Sequence, residues 1–217
     1  MIQVDTGIDL IYRFDQILDD SLCDEIVEHI KTKTDLLSYH NDPANVDKDP
    51  FSYDYQLEKY PEDLKKRIAE YRDNLASVVS ECYKETNYPE SLNTVYWRKG
   101  TSMDWHPDIL SQEMMSEEQI KAHKSNSSIL TRNVTAITYL NDDYVGGETI
   151  IAEGKWKSPF ISNTKTYLSK PKKGSVVLYF SGCFHRVNEI QEGDRFTISM
   201  FFTKEFEYSY EGRKLTF

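Results

Sequence analysis

Ser175-Val176-Val177-Leu178-Tyr179-Phe180-Ser181-Gly182-Cys183-Phe184-His185 opens with the strongest strand signal in the chain. Residues 176–180 are all apolar or aromatic, and β-branched and aromatic side chains favour extended backbone. Ser181-Gly182 breaks the run, and a histidine follows. Working outward, similar runs at 92–98, 134–140, 195–202 and 206–210 read as strands, with weaker ones at 149–152 and 166–168. Gly100, Asn141-Asp142-Asp143 and Gly193-Asp194 punctuate them. Short strands separated by such turns predict a mainly β chain, a double-sheet barrel or sandwich.

Upstream the period changes. Asp19 or Asp20 can cap a helix through residues 21–30, where Leu22, Ile26, Val27 and Ile30 share a face and His29 lies beside that stripe. Residues 41–63 hold Asp, Pro and aromatic residues without a period and read as irregular. Pro61-Glu62-Asp63 opens a second helix, whose Leu64, Ile68, Tyr71, Leu75, Val79 and Cys82 recur at steps of three and four. The expectation is a single domain over 1–217. In it, 1–90 is mainly helical and buttresses one sheet, 91–217 forms the β core, and the polar stretch 109–133 is a lid.

With 217 residues the chain can bury one substantial core, and 15 Tyr and 10 Phe suit a strand-rich one. A formal charge of -10 disfavours nucleic acid, and the pairs Lys65-Lys66 and Lys172-Lys173 read as solvated faces. Cys23, Cys82 and Cys183 show no paired spacing, which points to a reducing compartment. With no leader-like segment at 1–9 and no apolar run of the ~18 residues that a bilayer needs, the chain reads as cytoplasmic, without a membrane partner.

Trp105-His106-Pro107-Asp108 sets an imidazole and a carboxylate two residues apart, on one face if the backbone is extended. His185 supplies a second imidazole, and two histidines with one carboxylate suit a non-haem iron(II) centre with open positions. A bare His-x-Asp also arises by chance, with the Asp capping a turn. His40 and His123 lack a carboxylate at that spacing and are not candidate ligands. Arg195, ten residues after His185, can present a planar fork to a carboxylate; taken alone, it reads rather as a surface residue beside Glu192 and Asp194.

Between these residues lie Tyr139-Leu140-Asn141-Asp142, Gly146-Gly147-Glu148-Thr149 and Pro171-Lys172-Lys173-Gly174. In this order they resemble the iron(II)/2-oxoglutarate dioxygenases, and among them the prolyl 4-hydroxylase-like branch, over about residues 93–202. The resemblance implies a double-stranded β-helix (jelly roll, cupin-like). It makes His106, Asp108 and His185 the metal ligands and Arg195 the partner of the C5 carboxylate of 2-oxoglutarate. Thr135 stands where some members place a hydroxyl near the cosubstrate. The family often directs a tyrosine nine or ten residues before the first histidine at that cosubstrate; Tyr96 is favoured here, with Trp97 on the opposite phase as the alternative.

The implied reaction uses Fe(II), 2-oxoglutarate and O2, with ascorbate as a possible reductant, to hydroxylate a C–H bond. Asp108 favours hydroxylation over halogenation, since related halogenases carry a small residue at that position. Family similarity makes a prolyl residue in a peptide or protein the leading substrate. A free amino acid or small metabolite is the alternative, and a jelly-roll metal-binding protein without turnover the reading from another class.

Overall fold

A computed structural model describes residues 1–33, 38–39, 52–109, 131–155, 160 and 163–214. Nearly all of the expected lid, 110–130, lies outside the described residues, as do His40 and His123. The chain runs through β1 (Ile2–Val4), β2 (Tyr12–Asp15), α1 (Asp20–Lys31), β3 (Ser38–Tyr39), β4 (Ser52–Gln56), α2 (Glu62–Tyr83), β5 (Tyr88–Trp97) and β6 (Met103–His106). It continues through β7 (Arg132–Tyr139), β8 (Val145–Gly146), β9 (Thr149–Ala152), β10 (Thr166–Ser169), β11 (Val176–Phe180), β12 (His185–Val187), β13 (Ile190–Glu192), β14 (Arg195–Thr203) and α3 (Tyr210–Lys214).

Two antiparallel layers face each other. The major sheet has the order β1-β2-β11-β7-β14-β5-β4-β3, the minor sheet β10-β9-β12-β6, and β13 pairs with β8. This is the double-sheet arrangement that the strand spacing predicts, in the jelly-roll form that the resemblance implies. Strand β11 shows why its sequence lacks alternation. Val176 and Leu178 face the helices, while Val177 and Tyr179 face the minor sheet with Ile11, Tyr139 and Ile151, so both faces are buried.

The helices cover the outer face of the major sheet. Asp19 accepts the backbone N–H of Ser21 at 2.8 Å and caps α1, which buries Leu22, Cys23, Ile26, Val27 and Ile30. Helix α2 lays Leu64, Ile68, Tyr71, Leu75 and Val79 against Ala136, Leu178, Ile198 and Met200. Lys84 ends it in the left-handed region at φ 53°.

One expectation gains detail and another needs correction. Residues 1–90 carry both helices, and they also carry β1, β2, β3 and β4, which extend the major sheet at both ends. These strands are short, and β2 buries Arg13, which donates to the Lys170 carbonyl at 2.6 Å and to the Ser175 hydroxyl at 3.2 Å, so their apolar pattern is weak. The strand expected at 206–210 is a 3-10 turn (Phe206–Tyr208) leading into α3. Its aromatic residues pack as side chains, Phe206 edge-on to Tyr88 and Tyr210 beneath Arg72, rather than pairing in a ladder.

Candidate metal centre

Strand β6 lies at the edge of the minor sheet and pairs with β12 so that His106 stands opposite His185. Directly opposed residues share a face, and the two imidazole centroids are 4.2 Å apart. Asp108 lies just beyond the end of β6, and its N–H donates to the Ser181 carbonyl at 2.8 Å. One carboxylate oxygen is 3.8 Å from His106 Nε2, and the other is 3.5 Å from His185 Nε2. One ligand atom from each of the three residues lies within 4.8 Å of the others.

The protonation states follow from neighbours. His106 Nδ1 is 2.7 Å from the Asp104 carbonyl and His185 Nδ1 is 3.2 Å from the Cys183 carbonyl. A carbonyl only accepts, so each Nδ1 carries a proton, and Nε2, on the side of Asp108, is the ring atom left to bind a metal. Burial lowers the His185 pKa to about 4 against the opposing pull of Asp108. Burial alone raises that of Asp108, but the two imidazoles and a hydrogen bond from Thr135 outweigh it and hold the carboxyl below its ordinary range. Near neutral pH the set is therefore a carboxylate with a neutral His185, the ionisation that metal binding requires.

A cavity of about 50 Å³ opens beside these residues, lined among others by Trp97, Ile137, Thr149, Tyr179, Arg195 and Phe201. Arg195 is only 1% exposed, and among the described residues no carboxylate lies within ion-pairing distance of it. Its Nη2 donates to Thr149 Oγ1 at 3.3 Å, and the guanidinium lies 5.0 Å from the Trp97 ring and 5.5 Å from that of Tyr139. Gly147, at φ +66°, makes room for it, because a Cβ there would lie 3.1 Å from Arg195 Cδ and 2.9 Å from the Tyr144 ring. Arg195 Nε is buried without a hydrogen-bond partner, and the buried Tyr144 hydroxyl lies beside the guanidinium and is kept protonated chiefly by burial.

The predicted residues do not all converge. His106, Asp108, His185 and Arg195 share the cavity, whereas Tyr96 points away from it. In the β5–β14 ladder Arg195 stands opposite Trp97 and Phe196 opposite Tyr96. Trp97 therefore shares the cavity face, and Tyr96 stacks on Phe196 at 4.7 Å with its hydroxyl donating to Asp194 at 3.2 Å. Thr135 serves the Asp108 carboxylate and does not line the cavity: its hydroxyl donates to Asp108 Oδ2 at 2.8 Å. The sequence reading missed Tyr179, 3.4 Å from the same oxygen and kept protonated by burial and by Asp108. It missed Ser199 as well, although four residues after Arg195 on one strand is the same face.

The model of the 2OG-Fe(II) oxygenase superfamily matches residues 92–203, just over half of the chain. The chain belongs to the 2OG-Fe(II) oxygenase superfamily. Prolyl 3-hydroxylase 2 of Rattus norvegicus and that of Homo sapiens are each 30% identical to it over 100 residues, 45% of this chain; the chain thus covers 13% of the length of the curated relatives it matches. Among solved structures, a Pseudomonas putida prolyl-4-hydroxylase aligns over 93% of this chain and 96% of its own at 13% identity and a TM-score of 0.64. A Trichoplax adhaerens prolyl hydroxylase, in complex with a hypoxia inducible factor oxygen degradation domain peptide fragment, covers 97% and 89% at 13% identity and 0.64. The epimerase SnoN from nogalamycin biosynthesis covers 91% and 78% at 11% identity and 0.64. At these identities the structures share the fold, and their chemistries differ.

Membership of the 2OG-Fe(II) oxygenase superfamily implies Fe(II), 2-oxoglutarate and O2. The residues present fit these groups: two Nε2 lone pairs and an ionised carboxylate suit the metal, and a buried, unpaired guanidinium suits a dicarboxylate. Among the described residues no helix is long and apolar enough to cross a membrane.

Proposed function

We propose that this oxygenase is an Fe(II)- and 2-oxoglutarate-dependent hydroxylase that acts on a prolyl residue in a peptide or protein. In this reading His106, Asp108 and His185 hold the iron, and Arg195 anchors the far carboxylate of 2-oxoglutarate. The observation that carries it is Arg195, a buried cation opening onto the same cavity as the triad and lacking a carboxylate partner among the described residues. A metal-binding scaffold without turnover has no use for such a group, whose burial unpaired costs several kcal/mol.

When bound, iron with 2-oxoglutarate supplies oxidation of a C–H bond to an alcohol by O2, coupled to conversion of 2-oxoglutarate to succinate and carbon dioxide. The chain's residues prepare that chemistry. Arg195 orients the cosubstrate through charge-assisted hydrogen bonds from a fixed fork. Met103, Ile137, Val187 and Phe201 line the cavity with apolar surface and limit water. Tyr179 and Thr135 hold Asp108 Oδ2, leaving Oδ1 toward His106.

The prolyl assignment rests on likeness to prolyl 3- and 4-hydroxylases and on an open edge. Strand β6 has no neighbour beyond it among the described residues, and the His106 side chain is 32% exposed, so an extended peptide can lie along that side. The deciding assay follows succinate formed from 2-oxoglutarate with Fe(II) and ascorbate, with and without a panel of proline-rich peptides, using His106→Ala as control. Peptide-stimulated turnover, lost in the variant, with a product heavier by one oxygen atom, is the expected result. Peptide-independent turnover would transfer the assignment to a free amino acid or small metabolite, and no turnover in metal-loaded protein would refute the oxygenase reading.

A further inference from the structure

The two histidine ligands and the aspartate are held by different means. His106 and His185 sit in paired strands, so the ladder fixes their backbones. Asp108 lies past the end of β6 and has no ladder partner. Its N–H is held by the Ser181 carbonyl at 2.8 Å, and its own carbonyl accepts from Arg132 Nη1 at 3.2 Å.

Arg132, 24 residues away at the start of β7, is itself tightly placed. Its Nε donates to Glu90 at 2.8 Å, and Glu90 is 1% exposed. The guanidinium carbon lies 3.6 Å from the centroid of the Phe201 ring, and Phe201 lines the cavity beside the ligands. One planar group thus makes three contacts in fixed relation: a buried carboxylate along one edge, the ligand's backbone at another, a cavity wall against its face. A lysine can keep the charge opposite Glu90, but it has no second donor at a set angle and no flat face to stack.

We propose that Arg132 is a positioning residue for the metal centre, substituting for the missing ladder by tethering the Asp108 backbone to Glu90 and Phe201. The inference rests on the ligand assignment above. Removing a group that orients a ligand typically weakens metal affinity about 10- to 100-fold. The test is Co(II) titration of the apoprotein, reading both the dissociation constant and the visible ligand-field spectrum, together with a thermal melt.

For Arg132→Lys the expected result is a dissociation constant raised at least ~10-fold, with a changed band shape. Removing one member of a buried pair can itself unfold the chain, so the double variant Glu90→Met/Arg132→Met removes both charges together and keeps apolar bulk against Phe201. It is expected to fold and to show the same loss of Co(II) affinity. If either folded variant binds Co(II) like the wild type, with the same spectrum, Arg132 is structural only and the proposal fails. If the wild type itself fails to bind Co(II), the ligand assignment fails and takes the proposal with it, an outcome distinct from the first.

Discussion

Replacing Arg195 by methionine should leave the ligand-free protein about as stable as the wild type while removing its response to 2-oxoglutarate. A desolvated ion without a counter-charge costs several kcal/mol. Against this stand a hydrogen bond to Thr149 at 3.3 Å, worth about 1.5–3 kcal/mol for a charged donor. The ring contacts at 5.0 and 5.5 Å to Trp97 and Tyr139 add about 0.5–2 kcal/mol each. Methionine keeps most of the apolar stem, and Thr149 retains the Tyr139 hydroxyl as donor at 3.0 Å. The two sides are of similar size, so Arg195→Met should change stability by no more than about 2 kcal/mol, a melting temperature within roughly 4–8 °C of the wild type for a chain of this size. In the wild type with Mn(II) and no O2, 2-oxoglutarate at a hundred times its Kd should restore about 2.7 kcal/mol, and the variant should gain almost none. Differential scanning calorimetry of both proteins, with and without 2-oxoglutarate, measures all four states. A variant that melts well below the wild type, or that gains the same stabilisation from 2-oxoglutarate, would refute the argument that this cation is stored unpaired for an anion.

Tyr96→Phe should leave the KM for 2-oxoglutarate within about twofold and cost no more than ~1.5 kcal/mol, since it removes one hydrogen bond remote from the cavity. Trp97→Leu should raise that KM, and steady-state succinate kinetics showing the reverse order would restore the opposite strand phase. In the metal-free protein the His185 pKa is lowered to about 4 from 6.5, so the unfolded chain takes up its proton first as the pH falls. Its contribution, on the order of 3 kcal/mol, is present above about pH 6.5 and lost toward pH 4; urea unfolding should show a shallower decline for His185→Gln than for the wild type. Ile68 is fully buried between α2 and the major sheet, so Ile68→Ala should cost about 2–5 kcal/mol in urea denaturation with Co(II) affinity unchanged. A loss below 1 kcal/mol would mean that α2 does not buttress the sheet.

Local physics carried a good deal of the fold. The period of Leu64, Ile68, Tyr71, Leu75 and Val79 depends only on helix geometry, and the unbroken run 176–180 only on a strand covered on both sides, so both were readable from the chain. The order of His106, Asp108, His185 and Arg195 was equally visible, because ligand types and spacing are properties of the sequence. What it did not contain was the pairing of distant strands. Whether Tyr96 or Trp97 faces the cavity turns on one residue of register between β5 and β14, about a hundred positions apart, and a slip of one exchanges the faces of the whole strand. Other distant pairings bring His106 opposite His185, through β6 and β12, and put Thr135 of β7 on Asp108 rather than on the cavity wall. Arg132 had no signal at all, since a single arginine at the start of a strand becomes a tether only when β7 carries it between Glu90, Phe201 and the Asp108 carbonyl. The sequence by itself supplied side chains of the types that suit a metal and an anion. Tertiary structure decided which of them face one another, because side-chain direction in a sheet follows register, and register is set by contacts far apart along the chain.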